Sequence, residues 1–275
     1  MSNFRALNIA ATGMSAQQKR VNTAANNLAN ANTPGFKKSI AEFNELPYQI
    51  ERAPGTGNQT EGEYYSQGIQ YGTGVSIGAT SINFAPGEGI ERSKESLSLQ
   101  IIDNTGNNFF VINLPNGEQA YTRNGQFKLD NEGRIITGSG YIVDPEVNVP
   151  TDVKDTIVIN EEGEIQVKLL GAADTADFTS LGRINLAKFI NPQGLEQIGN
   201  SLFKATNSSG DPITGNPFEG DFANVKIKQG YLEESNTNTL ITVTDLITAQ
   251  QVYSMNSKAM QISDKMLDDI VRIKG

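Results

Sequence analysis

Enzymatic chemistry needs side chains that move protons, attack as nucleophiles or bind metals, and this 275-residue sequence offers few in usable patterns. It contains no histidine and no cysteine. Their absence excludes catalytic triads built on either residue and removes the commonest general base near neutral pH. Zinc and most transition metals also lose their usual ligands. The carboxylates lie on polar, turn-rich segments and suggest a solvated surface. We therefore predict that the protein is not an enzyme and that it has no catalytic, cofactor-binding or metal-binding residues.

Three loops have residue types that could hold a phosphate or a cation. Residues 72–78 are glycine-rich, but they lack the preceding strand, following helix and Gly-Lys-Ser/Thr ending of a nucleotide site. Residues 103–106 and 130–133 offer oxygen ligands without the spacing of a calcium loop. All three segments are predicted to be turns.

The N-terminal segment has apolar residues at alternating steps of three and four. This period is typical of a helix that packs along a coiled-coil seam. Ser2 or Asn3 can cap the helix, and Thr33-Pro34-Gly35 can end it. The predicted seam consists of Phe4, Leu7, Ala11, Met14, Gln18, Val21, Ala25 and Leu28.

The C-terminal segment repeats the pattern and adds a second apolar row, so it could face more than one neighbour. The first row is Leu246, Ala249, Tyr253, Asn256, Met260, Ser263, Leu267 and Ile270. The second row is Val252, Met255, Ala259, Ile262 and Met266.

Such stripes are also found on the outer helices of ordinary globular cores. Two details favour assembly instead. The seams contain many Ala, Gln, Asn and Ser residues, and Gly13 interrupts the first helix, where glycine costs about 1 kcal/mol relative to alanine. Helices this weak are expected to be ordered by many partners.

Between the helices, short strands and tight turns predict an antiparallel β-rich domain. Asn124-Gly125 is the strongest hairpin signal. Residues 47–68 fit neither period and are predicted to be an extended loop. The fold class is thus α+β, with paired terminal helices and a β-rich middle. We divide the chain into an assembly domain (1–33 with 236–275), a connecting stretch (34–70) and an outer domain (71–235). Strands are predicted at 109–113, 119–122, 126–129, 134–137, 156–160, 164–168, 182–190 and 225–232.

The end of the first helix is unusually rich in asparagine, beyond what capping requires. Asparagine side chains on a packed helix can form hydrogen bonds across an interface and fix register. The run Asn-Asn-Leu-Ala-Asn followed by Asn-Thr-Pro-Gly-Phe-Lys resembles the signature of the flagellar basal-body rod and hook family. The segments 12–18, 120–125, 229–236 and 253–259 are also similar to that family. The signature residues are Asn26, Asn27, Asn30, Asn32, Pro34, Gly35 and Phe36.

Within the family, an insertion after the signature resembles that of distal rod members. Its residues include Leu46, Tyr48, Pro54 and Gly55. The resemblance implies a structural subunit that self-assembles into a rigid, hollow helical shaft and transmits torque from motor to hook. It implies that the terminal helices line the tube and that the stretch near 46–70 stiffens it. The implied partners are copies of this chain, adjacent proximal rod and hook subunits, the surrounding L and P rings, and the flagellar type III export apparatus.

Two alternative functions remain open. A hook or proximal rod protein of the same family is one alternative, and a secreted β-rich carbohydrate-binding adhesin is another. The acidic middle of the chain disfavours nucleic acid. No run approaches the roughly 20 apolar residues of a membrane span, so no membrane insertion is expected. The resemblance implies a location in the flagellar basal body, in the rod that crosses the periplasm toward the outer membrane. Because no apolar core follows the basic residues near the N-terminus, we expect export without a cleaved signal peptide.

Overall fold

The computed structural model describes residues 2–55, 67–92, 95–150, 157–168 and 178–274 of the chain. Two long helices stand at the ends, α1 at Ser2–Ala29 and α2 at Thr239–Lys274, and they contact each other. Short, mostly antiparallel strands lie between them. The predicted α+β class is confirmed. Within the described residues, neither helix has the apolar length that a bilayer-spanning segment needs.

The chain forms two compact units. The helix unit comprises Met1–Leu28, Ser39–Ser81 and Asn238–Gly275, and the β unit comprises Ala29–Lys38 and Ile82–Thr237. Residues 39–81 thus group with the two helices. The domain boundaries derived from the sequence remain a prediction.

Four strands of the helix unit form what we call the ribbon. In chain order they are β1 (Ser39–Glu45), β2 (Gln49–Arg52), β3 (Ile69–Tyr71) and β4 (Val75–Ile82), and the last residue of β4 belongs to the β unit. Strand β1 pairs with β4, and β2 pairs antiparallel with β3. The prediction of an extended loop over residues 47–68 is therefore wrong for β2, whose backbone groups are paired with β3. Residues 56–66 of that loop lie outside the described residues.

The β unit is built around one nine-stranded sheet. Seven strands follow the order β16-β17-β8-β7-β11-β10-β9, and β15 pairs with both β7 and β18. These strands are β7 (Asn108–Asn113), β8 (Gln119–Thr122), β9 (Phe127–Leu129), β10 (Ile135–Thr137), β11 (Ile142–Val143), β15 (Leu186–Lys188), β16 (Glu196–Gly199), β17 (Leu202–Lys204) and β18 (Ile213–Gly215).

Smaller strand groups complete the β unit. One has the order β12-β13-β14, and two antiparallel pairs join β19 to β6 and β20 to β5. Their bounds are β5 (Gly89–Glu91), β6 (Leu99–Ile102), β12 (Ile157–Ile159), β13 (Glu164–Val167), β14 (Thr179–Arg183), β19 (Lys226–Gln229) and β20 (Tyr231–Glu233). Short 3₁₀ turns occupy Pro192–Gly194 and Gly220–Phe222.

Strand β7 is buried on both faces, which explains its nearly continuous apolar sequence. Phe110 and Ile112 enter a large aliphatic core, whereas Phe109 and Val111 enter a second, aromatic core on the opposite face. In the aromatic core the rings pack edge to face, and the Phe109 and Phe189 centroids are 5.8 Å apart. Among the described residues, both apolar cores belong to the β unit.

The Asn124-Gly125 hairpin predicted from the sequence is wrong. Strand β8 pairs with β7 and β17, whereas β9 pairs with β10. The Gly125 carbonyl instead accepts a hydrogen bond from the Leu99 amide at 3.0 Å. A Cβ atom on Gly125 would lie 1.7 Å from the Leu99 carbonyl oxygen, so the glycine permits a close backbone approach.

Candidate assembly site

Helices α1 and α2 contact each other in antiparallel directions. Gly13 faces Asn256, and Arg20 Nη2 lies 3.2 Å from Asp245 Oδ1. Residues later in α1 therefore contact residues earlier in α2. Both members of the ion pair are partly exposed, and such pairs contribute at most about 1 kcal/mol. The orientation must therefore be fixed mainly by packing.

The predicted seam of α1 is not its most buried row. Leu7, Met14, Val21 and Leu28 are half-buried and Ala11 is exposed, while the side chain of Phe4 lies outside the described residues. The buried apolar positions are instead alanines, namely Ala10, Ala16 and Ala24. The larger apolar side chains of the seam thus retain surface for further contacts. Their role in assembly stays a prediction.

On α2 the first predicted row is the better covered. Ala249 is buried, and Leu246, Asn256, Met260 and Leu267 are half-buried, whereas Tyr253 and Ile270 are exposed. In the second row, Met255, Ile262 and Met266 are exposed.

Helix α2 therefore presents a long apolar surface, which we call the α2 face. Large apolar side chains on it are between 38% and 87% exposed. Its members are Leu240, Ile241, Val243, Ile247, Tyr253, Met255, Ile262, Met266, Ile270, Val271 and Ile273. Isolated apolar residues are normal on protein surfaces, but so many exposed large apolar side chains along one helix are typical of an interaction site.

The signature asparagines have different environments. Asn27 is buried, and its Nδ2 donates to the Ser39 carbonyl at 2.7 Å while its Oδ1 accepts from the Ser39 amide at 2.9 Å. Asn30 accepts a hydrogen bond from the Thr33 hydroxyl at 3.2 Å. Asn26 and Asn32 are exposed. Asn27 thus connects the end of α1 to β1 within the subunit, whereas an interface role was predicted from the sequence.

The second half of the signature turns the chain into the β unit. Gly35 is buried and has a φ of 68°, which favours glycine, and its amide donates to the Glu233 carbonyl at 2.8 Å. A Cβ atom on Gly35 would lie 2.5 Å from the Asn124 amide nitrogen. Pro34 and Phe36 are half-buried beside it. This turn places the next residue, Lys37, in the interior.

The insertion residues lie on the ribbon or next to it. Leu46 is half-buried and its amide donates to the Gly74 carbonyl at 2.9 Å, while Tyr48, Pro54 and Gly55 are exposed. The ribbon also exposes several other large apolar side chains, a feature that the sequence patterns missed. They are Ile40, Phe43, Ile50, Ile69 and Tyr71.

Sequence reasoning missed a group of buried charges, which we call the ionic cluster: Lys37, Asp103, Arg123 and Glu233. Their side chains are at most 2% exposed. Lys37 Nζ is 2.5 Å from Glu233 Oε1, Arg123 Nε is 2.9 Å from Glu233 Oε2, and Arg123 Nη2 is 2.9 Å from Asp103 Oδ1. The expectation that the carboxylates lie on a solvated surface is therefore wrong for Asp103 and Glu233.

Neutral groups complete the ionic cluster. Lys37 donates to the Ala85 carbonyl at 2.8 Å, and Glu233 accepts from the Gly87 amide at 2.9 Å. Asn108 accepts from Arg123 through its carbonyl at 2.7 Å and donates to Asp103 through its side chain at 2.6 Å. Two cations and two carboxylates balance, as buried charges require.

Burial shifts the protonation equilibria of the cations. It lowers the pKa of Lys37 against the opposing attraction of Glu233. Burial also opposes the charge of Arg123, but the adjacent Glu233 and Asp103 outweigh it and raise the pKa of the guanidinium. No local pattern identifies these contacts, because Lys37 and Glu233 are 196 positions apart. Among the described residues, no group of three or more acidic side chains is placed to hold a metal ion.

Three protein-family profiles match segments of the chain. "Flagella basal body rod protein" matches residues 7–37, and "Flagellar hook protein FlgE/F/G D1 domain" matches residues 104–167. "Flagellar basal body rod FlgEFG protein C-terminal" matches residues 228–273. The matches include the signature, much of the β unit, Glu233 and α2.

Curated relatives extend the similarity over nearly the whole chain. The "Flagellar basal-body rod protein FlgG" of Borreliella burgdorferi is 43% identical over 266 residues, covering 96% of both chains. The proteins of the same name from Caulobacter vibrioides and Agrobacterium fabrum are 42% and 40% identical, covering 99% and 96% of this chain and 100% and 97% of theirs.

The names of these relatives place them in the rod of the flagellar basal body. The identity and the coverage extend through both helices and the β unit. The chain belongs to the FlgG family of flagellar basal-body rod proteins.

Proposed function

We propose that this chain is the structural subunit of the flagellar distal rod. Copies of it assemble into a rigid, hollow helical shaft that transmits torque from the motor to the hook. The role is mechanical and involves no catalytic step. The names of the curated relatives support the rod assignment.

The exposed apolar side chains of the α2 face are the main support for self-assembly. Burying apolar surface contributes about 25 cal/mol per Å², so a helix with so many exposed large apolar side chains gains strongly from a partner. The half-buried residues of the α1 seam supply complementary apolar surface on a second copy. Repeated head-to-tail contacts of this kind generate an open helical polymer when the rotation does not close.

The other partners follow from the place of a distal rod in the flagellum. They are the adjacent proximal rod and hook subunits, the L and P rings around the shaft, and the type III export apparatus that delivers the subunit. The proposed localisation is the rod, which crosses the periplasm toward the outer membrane.

Electron microscopy of concentrated purified protein tests the proposal. We expect straight, hollow rods. Curved tubes would instead favour a hook-type member of the family. A chain that stays monomeric and binds a glycan would favour the adhesin alternative and overturn the proposal.

Variants of the α2 face test which surface drives assembly. Ile262→Lys places a charge in the exposed apolar row, whereas Ser254→Lys places the same charge at an exposed polar position of the same helix. We expect Ile262→Lys to reduce the polymer yield at least tenfold and Ser254→Lys to assemble like the wild type. Equal yields from the two variants would exclude the α2 face as the assembly surface.

The ribbon is the element that we propose stiffens the shaft by contacting neighbouring copies. A two-stranded pair is only marginally stable in water, and the ribbon consists of two such pairs. Its strands expose five large apolar side chains, and Tyr48, between β1 and β2, adds a sixth. Leu46 and Gly74 are hydrogen-bonded at 2.9 Å, so residues 47–73 can be replaced by an Asn-Gly turn without straining β1 or β4.

Removing this part of the ribbon is expected to preserve folding and to increase bending of the polymer. Persistence length measured from electron micrographs reports the bending, and far-ultraviolet circular dichroism of the monomer controls for folding. Polymers as straight and stiff as those of the wild type would exclude the stiffening role.

A further inference from the structure

The ionic cluster lies where the chain enters and leaves the β unit. Lys37 follows α1, which ends at Ala29, and Glu233 precedes α2, which begins at Thr239. The Lys37–Glu233 ion pair therefore joins the segment after α1 to the segment before α2. Arg123 and Asp103 attach this pair to the rest of the β unit.

Backbone and side-chain hydrogen bonds run parallel to the ion pairs. The Gly35 amide donates to the Glu233 carbonyl at 2.8 Å, and the Lys38 amide donates to Asn236 Oδ1 at 2.8 Å. Asn236 Nδ2 donates to the Asn83 carbonyl at 2.7 Å. The two helix-connecting segments are thus held side by side along several residues.

Stability alone does not account for such an arrangement. A buried ion pair gains little over well-packed apolar residues of similar volume, because both charges lose their hydration. Its geometric requirements are strict, however, and removing one partner leaves a buried charge uncompensated. Each member of the ionic cluster also forms a hydrogen bond with a neutral group: Lys37 and Arg123 donate to carbonyl oxygens, and the two carboxylates accept from N–H groups. These bonds fix the orientation of the side chains.

We propose that the ionic cluster is a positioning device that holds the two helix-connecting segments in one arrangement. The ionic cluster then also sets the register at which the helices of successive copies pack, a consequence that rests on the proposed function. Lys37 and Glu233 are the positioning residues, and Arg123 and Asp103 orient Glu233.

The absence of native cysteine allows a direct measurement in the monomer. Asn32 and Glu234 are exposed and line the same surface groove of the β unit, so nitroxide labels on Asn32→Cys and Glu234→Cys report the spacing of the two segments. Dipolar broadening in the electron paramagnetic resonance spectrum measures that spacing.

The test variant is Lys37→Met with Glu233→Gln, which removes one charge of each sign. Its matched control is Lys204→Met with Glu118→Gln, which removes an exposed Lys–Glu pair at 2.7 Å in the same β unit. We expect the test variant to widen the distance distribution at least twofold while keeping its β circular-dichroism signal. The control should match the wild type.

An unchanged distribution in the folded test variant would overturn the positioning role. If the double variant does not fold, Glu233→Asp replaces it, because this variant keeps the charge balance and shortens the side chain that joins the two segments, with the same two outcomes. A change in melting temperature alone does not satisfy the proposal, because any buried structural residue produces it.

Polymerisation provides the second readout. The folded test variant is expected to give at least tenfold less polymer, or polymer with altered helical parameters, whereas the control should assemble normally. Wild-type yield and symmetry from the test variant would overturn the effect on register. Failure of the wild type itself to polymerise would overturn the proposed function, and the monomer measurement would still decide the positioning role.

Discussion

Asn27 joins the end of α1 to the start of β1 through one side-chain amide. Both hydrogen bonds go to Ser39, and both residues are buried. An asparagine in this position satisfies the amide and the carbonyl of the first strand residue together. The intersubunit role predicted for the signature asparagines therefore applies better to Asn26 and Asn32, which are exposed.

Replacing Asn27 by alanine is expected to destabilise the junction between α1 and β1. The variant leaves the buried amide and carbonyl of Ser39 without partners, which costs about 1–3 kcal/mol for each unsatisfied group. Native-state hydrogen exchange of the Ser39 amide measures the change locally, and we expect protection to fall at least tenfold. Asn22→Ala, at an exposed position of the same helix, is the control. Equal protection in the two variants would contradict the role of Asn27.

The buried Lys37 is expected to make the stability of the folded chain depend on pH. Burial lowers its pKa in the folded chain below the ordinary value of 10.5. Between the lowered pKa and 10.5 the unfolded chain binds more protons, so the contribution of Lys37 to stability rises with pH. This contribution is fully present above 10.5 and is lost as pH falls through the folded pKa.

The comparison of wild type with Lys37→Met isolates this effect. We expect the difference in unfolding free energy to shift in favour of the wild type as pH rises in that window, by at most about 1.4 kcal/mol per pH unit. Urea unfolding at a series of pH values measures it. A difference that moves in the opposite direction would show that the ion pair with Glu233 outweighs burial.

At the scale of elements, local patterns predicted the helices and many strands well. The strands predicted at 109–113 and 119–122 are observed as β7 and β8. A turn at Leu114–Gly117 joins them, and Gly117 has the positive φ that favours glycine. The Asn124-Gly125 turn failed although its local signal was stronger. There, the backbone of the turn pairs with Leu99, a contact that sequence periodicity cannot reveal.

The candidate site was predictable only in part, for the same reason. The spacing of apolar residues predicted the two rows on α2, and Met255, Ile262 and Met266 of the second row are exposed. The ionic cluster could not be read, since its members come from segments far apart in the chain. In the amino-acid sequence, a charged residue that will be buried cannot be distinguished from one on the surface unless its partners are known.

Gly13 illustrates how an apparent weakness of an element can have a packing cause. In the sequence it is a residue that lowers the helix propensity of α1. In the fold, a Cβ atom at this position would lie 2.7 Å from Asn256 Nδ2. The glycine thus permits α1 and α2 to approach closely.

Substituting Gly13 by leucine is expected to separate the two helices. Its side chain cannot fit between the backbone of α1 and Asn256, and the thermal midpoint of the helical circular-dichroism signal should fall. Gly13→Ala is the control, because the end of the Asn256 side chain can move and alanine gains about 1 kcal/mol of helix propensity. A leucine variant as stable as the alanine variant would contradict the close approach.

At the scale of the whole molecule, the two units differ in how they are stabilised. The β unit has two apolar cores, and the charges of the ionic cluster are paired within one subunit. The helix unit has small buried residues, an exposed ion pair and two exposed apolar surfaces, the α2 face and the ribbon. A chain with this division can fold its β unit alone and order its helices on assembly.

A truncated chain tests this division. Residues 29–237 retain Lys37 and the whole β unit, so we expect a cooperative melt, a β circular-dichroism spectrum and no polymer. Residues 39–237 lack Lys37 and the turn at Gly35, which leaves Glu233 with one cation instead of two. Because breaking a buried ion pair costs about 3–5 kcal/mol, this shorter chain should melt well below the longer one. Loss of the β spectrum in residues 29–237 would mean that the helices are required for folding, and equal melting temperatures would mean that Lys37 contributes nothing to the β unit.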